Sequence, residues 1–244
     1  MSLDRNISED LLSKIIDESS NSVFDLILLR PSFVDCPLKE DRYGNWLFDL
    51  SKKLMRLLKS TGSLIVVMKE DVIKGKRNPY SLEYLKGMSD SDYWTETFIW
   101  HKSNPHPTGN QKRLKDAFEY CYQFNRSKDY KFFPEQCLIR AKDEWDFGKE
   151  SSSLARPSNV ISAPYIPNGI PVSLSEFFIS LMTEKDDFVF VPFVSGESEI
   201  ISCLNMNRRY FGVYSKDCDK SLVENKLSSW KGNNISVSNS IFGI

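Results

Sequence analysis

Three nearly uninterrupted apolar runs constrain this chain more than any other feature: "FDLILL" (24–29), "GSLIVVM" (62–68) and "FVFVPF" (188–193). Each has the length of a strand. A strand with one wet face alternates polar and apolar residues, whereas a continuous run is the mark of a strand covered on both faces. Covering both faces takes helices, and the intervening sequence supplies them. Ser8 precedes "EDLLSKII", where Leu11, Leu12, Ile15 and Ile16 share one helical face behind a capping hydroxyl. "WLFDLSKKLMRLL" (46–58), "SLSEFFISLM" (173–182), the stretch 198–206 and "KSLVENKLSSW" (220–230) read as further helices. "ETFIWHK" (96–102), "FEYCYQFNR" (118–126), "YFGVYS" (210–215) and "NISVS" (234–238) read as further strands. This alternation predicts an α/β fold, a doubly wound and mostly parallel sheet.

A chain of 244 residues, 41% of them hydrophobic, is long enough to bury a core on each face of such a sheet. Residues 131–171 do not fit the alternation, having mixed charge, serines, prolines and weak periodicity. The expectation is one domain over 1–244 with a small, irregular, inserted lobe at 131–171.

Charge and side-chain counts exclude several functions. The net charge of -1 gives no global basic field, so any nucleic-acid surface has to be local. Cys36, Cys121, Cys137, Cys203 and Cys218 form no CxxC pair, and their odd number argues against a disulfide framework. They read as reduced thiols. His101 and His106 are the only histidines, too few for an ordinary zinc site or a Ser-His-Asp triad, so no metal is expected. No apolar run approaches a membrane span and the N-terminus is polar and acidic. A soluble intracellular protein, cytoplasmic or nuclear and without a membrane partner, is expected.

Two loops carry the candidate chemistry. "FDLILL" runs directly into Arg30, Pro31, Ser32 and Phe33, and open α/β sheets bind ligands at the carboxyl ends of strands. "HKSNPHPTGNQKRLK" (101–115) brings His101, Lys102, Asn104, Lys112, Arg113 and Lys115 together before the first acid, Asp116. It reads either as a phosphate-contacting surface or as an ordinary solvated charge run. Trp94, Trp100 and Tyr120 beside it are expected to pack in the sheet.

Three segments, in order, resemble the permuted β-type amino-methyltransferases of DNA, which act on adenine N6 or cytosine N4. Their "NSVDLIVTDPPY" is similar to "NSVFDLILLRPSF" (21–33), and their "ETIIWNKTNP…HEYI" to "ETFIWHKSNPHPTGNQKRLKDAFEYCYQF" (96–124). Their "DPFxGSGTT…RxYIGIE" is similar to "VPFVSGESEIISCLNMNRRYFGVYS" (191–215). The resemblance implies a Rossmann-like methyltransferase sheet with S-adenosylmethionine at the last segment and a flipped base at the first. In that family the acid of DPPY and the next proline's carbonyl accept hydrogen bonds from the base's exocyclic amine, while the tyrosine stacks on the base.

At these same positions the chain departs from the pattern. Arg30 replaces the acid with a group that has five donors and no acceptor. Ser32 and Phe33 replace the second proline and the tyrosine, and Asp35 lies too far along to substitute. In the cofactor segment the family acid becomes Val191 before Pro192 and Phe193, and Gly-Ser-Gly becomes Ser195, Gly196 and Glu197. Glu197 is expected to oppose the cofactor's carboxylate, at about 4 kcal/mol for 4 Å and an effective dielectric near 20. The ribose-binding acid falls at Tyr214 or Ser215.

The expectation is therefore a chain without cofactor: a catalytically inactive methyltransferase-like subunit that binds DNA, an active methyltransferase partner, or further copies of itself. The alternative is an S-adenosylmethionine-dependent amino-methyltransferase with an altered or shared site, and RNA in place of DNA is a weaker option. For Arg30 three readings stand: a plain turn residue, a grip on a phosphate or a partner's carboxylate, or part of a residually active site.

Overall fold

The computed structural model describes residues 14–16, 22–32, 35–38, 42–70, 72–73, 75–90, 93–107, 112–142, 150–167, 169–215, 218–233 and 240–242. The first apolar run forms β1 (Phe24–Leu29), fully buried along its length. It is followed by α1 (Tyr43–Met55), β2 (Leu58–Met68), the short ribbon β3 (Val72–Ile73) and β4 (Lys76–Arg77), and α2 (Tyr80–Ser89). Two long strands come next, β5 (Tyr93–Lys102) and β6 (Phe118–Asn125), then β7 (Ile139–Lys142), β8 (Glu150–Ala155) and β9 (Val160–Ala163). The chain continues through α3 (Val172–Met182), β10 (Phe188–Val194), α4 (Ser198–Asn205), β11 (Arg209–Tyr214), α5 (Lys220–Asn233) and β12 (Ser240–Phe242).

Eight strands form one sheet in the order β12-β11-β10-β1-β2-β6-β5-β9. Every neighbouring pair is parallel except the two made by β6, which runs against both β2 and β5. The expected doubly wound, mostly parallel sheet of the methyltransferase type is present. Chain order turns back between β1 and β10, so the crevice at their carboxyl ends is the topological switch point.

The two faces explain why the apolar runs are continuous. On one face Ile27, Leu29, Leu64 and Val66 pack against Leu47 and Leu54 of α1 and Tyr84 and Met88 of α2. On the other, Leu26, Leu28, Ile65 and Val67 pack with Leu174 and Phe178 of α3 and Ile200 of α4. Alternate residues of each strand therefore meet different helices. Gly62, inside β2, lies where an added Cβ would stand 3.0 Å from the carbonyl oxygens of Phe24 and Asp25, so the bulged start of the β1–β2 pairing needs a glycine.

Several boundaries differ from the sequence reading. Helix α1 begins and ends three residues before the expected 46–58, because the buried Leu57 and Leu58 lead into the next strand. Helix α2 is absent from the sequence reading, although Tyr80, Tyr84 and Met88 recur at the helical spacing that buries them. Of the first helix, residues 14–16 are helical with Ile16 buried, and the rest lies outside the described residues, as does "NISVS". Within 131–171, β7 and β8 form a separate two-stranded sheet, while β9 joins the main sheet beside β5.

Candidate functional site

The carboxyl edge of the sheet gathers residues from five strands at the switch point. Arg30 leaves β1, Lys102 ends β5, Glu119 lies near the start of the reversed β6, and the Ser195 and Ser215 loops leave β10 and β11. The reversal of β6 matters here, because it carries the amino end of a strand to the edge where its neighbours end. Glu119 is thereby delivered to Arg30 across 89 residues of sequence.

Arg30 grips that carboxylate with Nε and Nη2 at 3.2–3.3 Å, and Lys102 Nζ approaches Oε1 at 2.9 Å. Glu119 is fully buried, and Lys102 and Arg30 are only 3% and 15% exposed. Both cations stand over the buried Trp100 indole, at 5.9 Å for Arg30 and 5.6 Å for Lys102, where the ring face favours positive charge. Trp100 is fixed by its own indole N–H, which donates to the Ala163 carbonyl at 3.1 Å. An internal ion pair was none of the three readings open for Arg30, and it is what the structure shows.

The second acceptor of the family motif is also engaged. The Pro31 carbonyl receives the Tyr43 hydroxyl at 2.9 Å in a buried hydrogen bond. Burial pushes the Tyr43 phenol well above its ordinary value, so it stays a donor. Asp35 turns away from the Arg30 position. It accepts from the Ser32 amide at 2.8 Å, from the Ser32 hydroxyl at 3.0 Å, and from the Ser215 hydroxyl at 2.9 Å. Phe33 lies outside the described residues.

On the cofactor side, Val191 is buried with the α3–α4 core and Phe193 with the α1 side, its ring edge-on to Trp46 at 6.1 Å. Pro192 is buried between them. Ser195, Gly196 and Glu197 are half-exposed. Lys226 of α5 pairs with the Glu197 carboxylate at 2.7 Å, which offsets the repulsion expected of it. A Cβ on Gly196 would meet nothing within 4 Å, so the space above this loop is open. Tyr214 donates its hydroxyl to Glu224 at 3.3 Å, which brings a carboxylate to the end of β11 where the sequence offered none.

A further residue escaped the sequence reading. Glu199, in the first turn of α4, is 1% exposed. Its Oε1 accepts the Ile170 amide at 3.2 Å, while its Oε2 has no hydrogen-bond partner. Burial pushes its carboxyl up to about 7, against the pull of two amides and Arg30. Its signal in the sequence was an acid in place of a family hydroxyl two residues past Glu197.

The basic loop is only partly available to a phosphate. Lys102 is buried in the ion pair. His101 shares a hydrogen bond with Ser162 at 3.0 Å, His106 pairs with the Pro107 carbonyl at 2.9 Å, and Asn104 accepts the Tyr165 amide. Arg113 donates to Asp116 at 3.0 Å, while Lys112 and Lys115 are exposed. Arg113, Lys115, Arg77 and the half-exposed Phe118 line a cleft of about 400 Å³ with Glu119 at its border. Trp94 is half-exposed and Trp100 buried.

The sequence profile described as DNA methylase matches residues 24–222. The chain belongs to that family. No curated protein matches it by sequence. Among solved structures it is similar to PvuII DNA methyltransferase, described as cytosine-N4-specific, at 19% identity and a TM-score of 0.68, over 89% of this chain and 88% of that one. It is also similar to TTHA0409 of Thermus thermophilus complexed with S-adenosyl-L-methionine, at 18% identity and TM-score 0.65, over 95% and 97%. A third is the M1.HpyAVI–SAM complex, at 15% identity and TM-score 0.59, over 92% and 96%. At these identities the likeness establishes the fold.

Two of these relatives hold S-adenosylmethionine, which overturns the expectation of a chain without cofactor. S-adenosylmethionine, a donor of an electrophilic methyl group, is the ligand expected of this family. The residues present fit it: the loop at Ser195–Glu197 is open, Glu197 is neutralised, and Glu199 holds an unused buried acceptor.

Proposed function

We propose that this chain is a methyltransferase-like subunit, one domain over 1–244, that binds DNA and does not itself transfer methyl groups to base amines. The observation that carries this reading is the state of the two acceptors. An exocyclic amine needs two acceptors to orient its nitrogen lone pair toward a methyl donor. Position 30 carries a donor-only guanidinium held on Glu119, and the Pro31 carbonyl, with one of its two lone pairs taken by Tyr43, cannot orient the amine alone. A base amine entering here meets a cation where it needs an anion.

DNA contact rests on the rim of the cleft beside Phe118, with the exposed Lys112 and Lys115 as phosphate contacts. The β7–β8 ribbon, with Ile139 and Leu154 exposed, is the recognition-like part of the 131–171 segment. The working unit is an assembly with an active methyltransferase or a second copy, inside the cell, and RNA is the lesser substrate. Among the described residues no helix is long and apolar enough to cross a membrane.

The test is incubation of the chain with S-adenosylmethionine and unmodified DNA, with nucleosides read by mass spectrometry. No N6-methyladenine or N4-methylcytosine is expected, and the appearance of either overturns the reading in favour of an altered but active site. DNA affinity should fall with salt, and Lys112→Ala with Lys115→Ala should lower that slope by about two. Salt-independent binding removes DNA from the proposal and leaves a protein partner.

A further inference from the structure

The reversal of β6 that brings Glu119 to the carboxyl edge sends the other end of that strand the opposite way. It ends at Asn125, and Arg126 follows at the amino edge of the sheet, beside the end of α1 and the start of β2. There Lys52, Lys53, Arg56 and Arg126 line an open groove of about 580 Å³, with Asp49 and the buried Met55. Four cations face one carboxylate.

Arg126 is held in place without being neutralised. Its Nη1 donates to the Ser22 hydroxyl at 2.6 Å and to the Leu58 carbonyl at 2.7 Å, with the Arg56 carbonyl at 3.5 Å. All three acceptors are uncharged. Nε and Nη2 make no hydrogen bond among the described residues, and they form the edge of a guanidinium that matches two oxygens of an anion. Lys53 and Arg56 are exposed and pair with no acid among the described residues. Cations in the last turn of a helix suit its dipole, which accounts for Lys52 and Lys53. It leaves the open edge of Arg126 unexplained. No aromatic ring lines the groove and Met55 is its one apolar side chain, so nothing here would hold a base or a sugar. The lining suits a run of oxyanions.

We propose that this groove is a second nucleic-acid surface, one that takes the phosphate backbone of DNA and reads no base. The inference rests on the reading of the chain as DNA-binding but uses none of the residues assigned there. Eight residues of β6, at about 3.3 Å each, put the groove roughly 25 Å from Phe118 and the rim of the other cleft. One chain thereby engages two separate stretches of backbone, and the sheet is the spacer between them.

Sedimentation with a short duplex in excess should show two duplexes bound per native chain, and one after Lys53→Glu with Arg56→Glu. Two duplexes still bound by that variant overturn the inference and leave the reading of the Phe118 cleft standing. A chain carrying Lys112→Ala and Lys115→Ala isolates the groove. Adding Lys53→Ala and Arg56→Ala to it should lower the slope of log affinity against log salt by about two, and an unchanged slope also overturns the inference. Binding that is lost with Lys53 and Arg56 but indifferent to Lys112 and Lys115 keeps the groove and removes the cleft. Deoxyadenosine monophosphate at millimolar concentration should not displace the duplex from the isolated groove; displacement would make it a nucleotide pocket instead. A polyglutamate peptide of equal charge should compete at least about tenfold more weakly than unlabelled duplex, and equal competition would assign the groove to an acidic protein segment.

Discussion

Two buried carboxylates stand at opposite ends of the sheet, each clamped by two cations, and they are built differently. At the amino edge Asp25 accepts Lys59 at 2.7 Å, Lys131 at 3.0 Å and the Phe188 amide at 3.0 Å. Lys131 also reaches Asp187 at 2.6 Å and the exposed Glu184 at 3.9 Å, so two lysines face three acids. Those lysines are 39% and 22% exposed, their heads reaching in from water. At the carboxyl edge Arg30 and Lys102 share the single Glu119, with Lys102 buried and Arg30 only 15% exposed. The first arrangement is a clasp with acid to spare, whose lysines can relax into solvent. The second leaves an excess of positive charge largely shielded from water.

Breaking each clasp should expose that difference. Glu119→Gln strands a buried lysine and a largely buried arginine and should cost about 3–5 kcal/mol in urea unfolding. A loss below about 1 kcal/mol would mean that Arg30 and Lys102 find water, and the contrast with the amino edge would fail.

Glu199 should give the next largest effect, with the opposite sign. Its folded value is raised from 4.5 to about 7, so the native state holds a proton that the unfolded chain gives up. Stability from this group is fullest below about pH 4.5 and falls as pH rises toward 7. Glu199→Gln should therefore stabilise the chain by up to roughly 3 kcal/mol at pH 8 and leave it unchanged near pH 4. Denaturation at several pH values measures it, and a variant less stable at pH 8 would contradict the orphaned oxygen.

Asp25→Asn should cost less, about 1–3 kcal/mol, because its lysines can turn outward. The pH slope is the reverse of that at Glu199. Burial pushes the Asp25 carboxyl up, but Lys59, the Phe188 amide and Lys131 together outweigh it and hold the group below its usual range. Its contribution is present above about pH 4 and lost as pH falls through the lowered value. Acid unfolding of Asp25→Asn should accordingly lack a step that the native chain shows. The smallest effect is Tyr43→Phe, about 1 kcal/mol for one neutral buried hydrogen bond. The same variant returns one lone pair to the Pro31 carbonyl without restoring an acid, so it should not start methyl transfer.

The parts of the fold written in short-range pattern were legible, and the parts written in long-range contact were not. Continuous apolar runs gave β1, β2 and β10, and helical spacing gave α1 and α3, because burial on one or two faces leaves a local period. The displaced family residues were also legible, since Arg30 and Glu197 stand inside recognisable segments. Their partners were not. Nothing in "AFEYC" says that Glu119 will meet Arg30, or that Lys226 will meet Glu197 across 29 residues. Lys102 looked like a surface cation for DNA, and tertiary packing turned it into the buried partner of Glu119. The isolated charge of Glu197 suggested repulsion only because its neutralising lysine lies one helix further on.

The placement of β1 has a consequence for how the chain comes off the ribosome. Leu26 pairs with Val189, so one whole side of the central strand waits for a segment 163 residues later. At translation rates of about 5–20 residues per second, that wait is roughly 10–30 s. During it "FDLILL" has β2 on one flank and an open hydrogen-bonding edge on the other. The nascent protein is a half-sheet with a sticky seam, and a cell that slows translation between β9 and β10 should lose more of it to aggregation than one that slows translation after β11.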